Sequence, residues 1–223
     1  MTDFFREVDE ELRNDRMRKL WKKYSVLFIG IIVMFVVVTA AYRFYVYWVD
    51  NQAGVSGDKY LQALQLIEDG DRAGGQALLS ELEAGGFGSY PILARFKAAS
   101  SVLGGGDKPL AIKSFDALAD DGSIPAELRD YARLQASIAA VDVEAYSDIQ
   151  KRTESLLGDE NPWRHLAREA LALSAWKAGN MDEAAKWVFE LKSSGNIPQG
   201  LRQRVQLLEE LIVGAGGRLR RAG

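Results

Sequence analysis

Two independent markers recur along this chain with one period, and that period restricts the fold to a stack of similar helical units. Pro91, Pro125, Pro162 and Pro198 precede long amphipathic runs, at separations of 34, 37 and 36 residues (125 − 91, 162 − 125, 198 − 162). The pairs Gly70-Asp71, Gly106-Asp107, Val141-Asp142 and Gly179-Asn180 step by 36, 35 and 38 between their second members. Proline suits a helix start because it lacks the N–H that would be orphaned there and has a preset φ. Pro109 also stands where a helix should begin. Each period thus reads as helix, tight turn, helix. Such a unit cannot bury its apolar face alone, so it must stack on its neighbours.

The fourth unit is the clearest. Leu166, Ala170, Leu173 and Trp176 or Lys177 follow 3–4 spacing on its first helix, and Ala184, Val188 and Leu191 continue it on the second. Gly179 can take the left-handed conformation that closes a helix. Ala184 is small where two helices must approach. The second unit repeats the plan around Asp107. The third lacks the turn glycine, so its turn should be less regular. The first starts near Gly57-Asp58-Lys59-Tyr60. The last segment, from Ile197, is half a unit, a terminal helix that covers the exposed end of the stack.

Ahead of the repeats, residues 25–42 carry no charge and almost no polar group. As a helix they span roughly 27 Å, close to the ~30 Å hydrocarbon core of a bilayer. A cleaved signal has a shorter apolar core, of about 7–15 residues, so the run reads as a retained anchor. Arg13, Arg16, Arg18, Lys19, Lys22 and Lys23 crowd its amino-terminal flank, opposed there only by Asp15. The other flank has Arg43 and then no cation until Lys59. Positive flanks stay in the cytoplasm, which predicts a cytoplasmic amino terminus and an exported repeat domain. Trp21 and Tyr24 mark one interface, and Tyr42, Phe44, Tyr45, Tyr47 and Trp48 the other. Phe4, Val8 and Leu12 share a stripe, with Phe5 beside it, in an otherwise acidic segment; they are candidates for docking on a membrane partner.

A helix ending Ala-x-x-x-Gly-Asn and followed by x-x-x-Ala resembles the tetratricopeptide repeat; Ala175, Gly179, Asn180, Ala184 and Ala185 carry the pattern. The whole plan combines a short charged tail, one anchor with a Tyr/Trp-rich exit, and about four degenerate repeats. It resembles the YfgM-like family of ancillary subunits of the SecYEG translocon. The opening FFREVDEELRNDRMRKLWKKY is similar to the alphaproteobacterial branch. The resemblance implies an inner-membrane protein with a periplasmic repeat domain. The partners it implies are translocon subunits and periplasmic chaperones such as a PpiD-type foldase.

The residues offer little for catalysis. His165 is the only histidine; it sits off the Leu166/Ala170 stripe and reads as a surface residue. There is no cysteine, so no disulfide or thiolate chemistry. No G-x-S-x-G is present, and Gly104-Gly105-Gly106-Asp107-Lys108 lacks the strand and Ser/Thr of a phosphate loop. The first 24 residues hold seven cations and six anions, leaving 21 and 25 for the rest (28 − 7, 31 − 6), a mildly acidic remainder with no attraction for nucleic acid.

The expected fold is all-α: one N-terminal transmembrane helix followed by a tetratricopeptide-like helical-hairpin solenoid. The expected divisions are a cytoplasmic tail 1–24, an anchor 25–49, a repeat domain 50–213 and a flexible basic tail 214–223. The expected role is partner binding without a cofactor, not enzymatic catalysis. Arg95, Arg133 and Arg168, beside Ala94, Ala132 and Ala167, are candidate partner-binding residues. The alternative is a scaffold subunit or assembly factor of another inner-membrane complex, respiratory or envelope.

Overall fold

The computed structural model describes residues 2–195 and 197–217, with side chains undescribed at 2–16, 19 and 20. Phe4, Phe5, Val8 and Leu12 therefore fall in a helical backbone with their side chains outside the described residues. Residues 218–223 of the basic tail lie outside the described residues. Among the described residues there are nine α-helices, one 3-10 turn and no strand. The chain divides into two units, one ending at Val55 and the other beginning at Ser56.

The first unit is helical at every described residue. The first helix, α1 (Thr2–Glu68), passes through it without interruption and continues into the second unit. The side chains of residues 26–38 face solvent, with large exposures at Val26, Phe35 and Val36. By length and composition the stretch is able to cross a membrane. The only side-chain hydrogen bond described within it is Thr39 Oγ1 donating to the Phe35 carbonyl at 2.8 Å, which removes a polar group from an otherwise apolar surface.

In the second unit the end of α1 is followed by α2 (Arg72–Gly85), α3 (Tyr90–Gly104), α4 (Lys108–Ala119), α5 (Ala126–Ala140), α6 (Tyr146–Thr153), α7 (Arg164–Lys177), α8 (Met181–Ser193) and α9 (Gln199–Gly214). Each helix from α2 onward packs on its successor, and α7 also packs on α5 and α9. These are stacked hairpins, with the first helices of successive units side by side.

The packing register repeats as the sequence does. Ala94, Ala132 and Ala167 on the first helices are fully buried, as are Ala111, Ile149 and Ala184 on the second. The interval is 17 residues in every case (111 − 94, 149 − 132, 184 − 167). Gly75 holds this register in α2; a Cβ there would strike the Ile67 side chain and the Ala63 carbonyl. The largest core cluster runs from Ala99 to Ile212, and a smaller one joins Ala63, Leu79, Leu82 and Ala94.

The turns explain the second sequence marker. Gly70, Gly106 and Gly179 have φ of +93°, +92° and +75°, where any side chain is strained. At the last, Asn180 N donates to the Ala175 carbonyl (2.9 Å) and Gly179 N to that of Trp176 (3.0 Å), the paired bonds of a glycine C-cap. The next residue then starts the following helix. Asp71 accepts from Gly74 N, Asp107 from Leu110 N and Asn180 from Glu183 N. The third unit differs. Its turn extends from Val141 to Ala145, has no left-handed residue, and Ala145 offers no side-chain cap. Its second helix is only Tyr146–Thr153, continued by a 3-10 turn at Glu154–Leu156.

Two expectations need correction. His165 is buried, not a surface residue, at 7% exposure. Helix α7 also buries a wider arc than the Leu166/Ala170 stripe, including Ala167, Leu171, Ala172, Ser174 and Ala175. The cause is common to both: α7 has neighbours α5, α6, α8 and α9, whereas a 3–4 stripe describes a helix covered on one side.

Candidate interaction surface

Arg95, Arg133 and Arg168 follow the buried alanines of α3, α5 and α7 by one residue, so each unit places one guanidinium at the same register. Lys59 precedes them in α1, one residue after Asp58, with steps of 36, 38 and 35 (95 − 59, 133 − 95, 168 − 133). All four reach toward second helices or the turns that follow them. Lys59 pairs with Glu81 on α2 at 2.8 Å. Arg95 pairs with Asp121, just beyond α4, at 2.5 Å and approaches Glu83 of α2 at 3.7 Å. Arg133 donates to the Ala119 carbonyl, at the end of α4 (3.2 Å), and pairs with Asp130 (3.0 Å). Arg168 donates to Ser194 Oγ after α8 (3.0 Å) and to the Leu157 carbonyl after the 3-10 turn (3.4 Å).

Lys59 and Arg95 meet carboxylates, whereas Arg133 and Arg168 also satisfy carbonyls at helix ends. The last carbonyls of a helix have no intrahelical N–H to accept from, and a cation there also meets the negative end of the dipole. The carboxyl of Asp121 is held well below its ordinary range by hydrogen bonds from Ser123 and then from Arg95. These guanidiniums therefore engage the chain itself, with Arg168 the most enclosed. Lys59 was not among the sequence candidates. Its signal was available in the repeat interval, but Asp58 precedes it where the other units have alanine.

A second set of ties joins one unit to the next. Arg152 in α6 makes a two-bond contact to Asp116 of α4 (2.9 and 3.0 Å) and another to Glu144 (2.7 and 3.2 Å). Burial alone would favour losing its proton, but Glu144 and Asp116 outweigh that and hold the charge firmly. Beside it is an open recess lined by Asp116, Asp120, Arg133, Lys151 and Glu154. Asp142, in the irregular third turn, pairs with Lys108 of the second unit and with Lys177 of the fourth (3.2 Å), and the two ammonium groups lower its pKa. Tyr146 OH accepts from Trp187 Nε1 at 2.8 Å and donates to Glu183 at 3.3 Å.

His165 has neither ring nitrogen hydrogen-bonded. Burial depresses its pKa, and Arg164 and Arg168 add repulsion. The enclosed imidazole takes its place within the packing around α7.

The first helices also make a row of contacts near their exposed edge. Tyr60 meets Tyr90 with ring centroids 6.1 Å apart, Phe96 meets Tyr131 at 5.7 Å, and Tyr131 meets Trp163 at 5.3 Å. The rings are half-buried and tilted, a favourable aromatic geometry.

A family profile described as a tetratricopeptide repeat-like domain matches residues 18–155 of this chain. No curated protein matches it. No solved structure matches it either.

Proposed function

The chain belongs to the tetratricopeptide repeat-like family, and on that footing we propose that it is a single-pass inner-membrane protein whose periplasmic repeat domain binds partner proteins beside the SecYEG translocon. The observation that carries this reading is an apolar, solvent-facing stretch of α1 leading into stacked helical hairpins. Stacked hairpins offer extended surfaces for protein segments. An anchor confines such a surface to the membrane and raises its effective concentration there, so even weak contacts become useful. The basic flank at Arg13–Lys23 supports a cytoplasmic amino terminus. The partners would be translocon subunits and a periplasmic foldase or chaperone. The role is binding, with no catalytic step assigned to His165 or to any carboxylate pair.

The test is purification of the tagged full-length protein in mild detergent, followed by mass spectrometry of what accompanies it. Translocon subunits together with a periplasmic foldase are the expected result. A different stoichiometric membrane complex would overturn the translocon assignment.

A further inference from the structure

In the second, third and fourth units the residue two places after the buried alanine of the first helix contacts the first helix that follows, and Tyr60, at the same register in α1, does so too. Tyr60 meets Tyr90, and Phe96 meets Tyr131. Leu134 clusters with Ala167, and Glu169 pairs with Arg204 of α9 at 2.6 Å. Val205 holds the small buried position in α9, seven residues after Pro198 as Ala132 is after Pro125 (205 − 198, 132 − 125). The next rung is therefore Leu207. Among the described residues no helix follows α9, and Leu207 is 59% exposed where its counterpart Leu134 is 1% exposed. Leu211, one turn on, is exposed as well.

The end of the stack is otherwise closed by charge. Buried Ala136 and Ser137 of α5 correspond in α9 to Glu209 and Glu210 (136 + 73, 137 + 73). These carboxylates leave Leu207 and Leu211 as the open apolar edge of α9. On α9, Arg204 is paired with Glu169, and Glu209 with Lys192. Arg202 and Glu210 have no ion pair among the described residues. They stand eight positions apart (210 − 202), about 12 Å along the helix, with Gln206 midway.

We propose that this edge is an interface for a second copy of this chain, the two α9 helices running antiparallel across a two-fold axis at Gln206. That arrangement sets Arg202 of each copy against Glu210 of the other. It also brings the two Leu207 side chains, each one residue from the axis, into contact. A parallel pairing in register matches like charges instead, so the charge pattern selects the closed two-fold dimer. The patch is small, and confinement of both copies to one membrane supplies the concentration that its area does not.

The chain has no cysteine, so Leu207→Cys introduces its only thiol. The full-length variant, purified and reconstituted in phosphatidylcholine vesicles, is treated with a mild oxidant. A disulfide forms only where the two Cα atoms come within about 7 Å. The expected result is conversion to a covalent dimer. Leu61→Cys, replacing a leucine of similar exposure (63%), should stay monomeric. Adding Glu210→Arg to Leu207→Cys should reduce the cross-link at least tenfold, and adding Arg202→Glu as well should restore it. Circular dichroism would check that each variant retains its helix content. No cross-link at Leu207→Cys overturns the proposal. So does equal cross-linking of both cysteine variants, or cross-linking indifferent to the charge reversals.

Discussion

The third and fourth units solve the same turn in different ways. The fourth closes α7 from within: Gly179 adopts φ +75°, and Asn180 caps α8. Two adjacent residues carry the whole instruction. The third has neither device, and its turn is held from outside by Lys108 and Lys177 on Asp142, with Arg152 reaching back to Asp116. A turn can thus be encoded locally or by its neighbours. The second kind depends on the stack already being assembled.

The difference extends to the core and gives the largest expected effects. At one register the third unit has Ile149 where the second and fourth have Ala111 and Ala184, all fully buried. The α5–α6 hairpin is spaced for a large side chain and α7–α8 for a small one. Ile149→Ala should therefore cost about 2–5 kcal/mol through the cavity it leaves. Ala184→Leu should cost about 1–3 kcal/mol through overpacking. Thermal unfolding of the full chain in detergent reads both. A neutral Ile149→Ala would mean that the third hairpin closes up as the others do, and the contrast would fail.

The turns themselves come next. A Cβ at Gly179 would meet open space, so Gly179→Ala tests backbone strain alone, at about 1–2 kcal/mol. Val141 has φ −48° and needs no glycine. Val141→Gly should give no gain, and a stabilised Val141→Gly protein would show that the third turn is a damaged copy of the fourth.

This contrast also marks what could be seen in the sequence. Gly106-Asp107 and Gly179-Asn180 were legible because the left-handed turn and the cap sit in neighbouring residues. Pro125 and Pro198 were legible as markers of helix starts, and each holds the N-cap. The burial of His165 was not, because it depends on helices far away in the chain packing around α7. Nor was the engagement of Arg95, Arg133 and Arg168. The sequence shows their spacing, but their acceptors lie at helix ends 11 to 26 residues distant. Asp142 reads as a turn residue paired with Val141, yet its partners are 34 and 35 residues away. The unbroken course of α1 through Gly54 and Gly57 was equally hidden. A Cβ at Gly57 would come within 2.8 Å of the Tyr90 hydroxyl, so the ring packs directly against the glycine.

His165 makes the fourth unit the more acid-sensitive of the two. Its folded pKa is depressed, by burial first and then by Arg164 and Arg168. The unfolded chain takes up a proton near pH 6.5 and the folded chain does not. Stability is therefore lost as pH falls below about 6.5, down to the folded value. His165→Leu should flatten the melting temperature across that window. A variant as pH-dependent there as the native chain would place the sensitivity elsewhere.

The smallest effect belongs to the third turn and separates the two kinds of turn most cleanly. Asp142 is more than half exposed, and both its pairs are open to water. Asp142→Asn should cost less than about 1 kcal/mol at low salt. In 1 M salt the Debye length falls to about 3 Å, and native and variant proteins should then melt together. The lysines lower its pKa, so its contribution is present above about pH 3.9 and is lost as pH falls through the lower folded value. That window lies below the one assigned to His165, so a pH series distinguishes them. The Gly179→Ala deficit should be the same at every salt concentration, because backbone strain is not screened. If the Asp142→Asn deficit also ignored salt, the third turn would be held by local geometry after all.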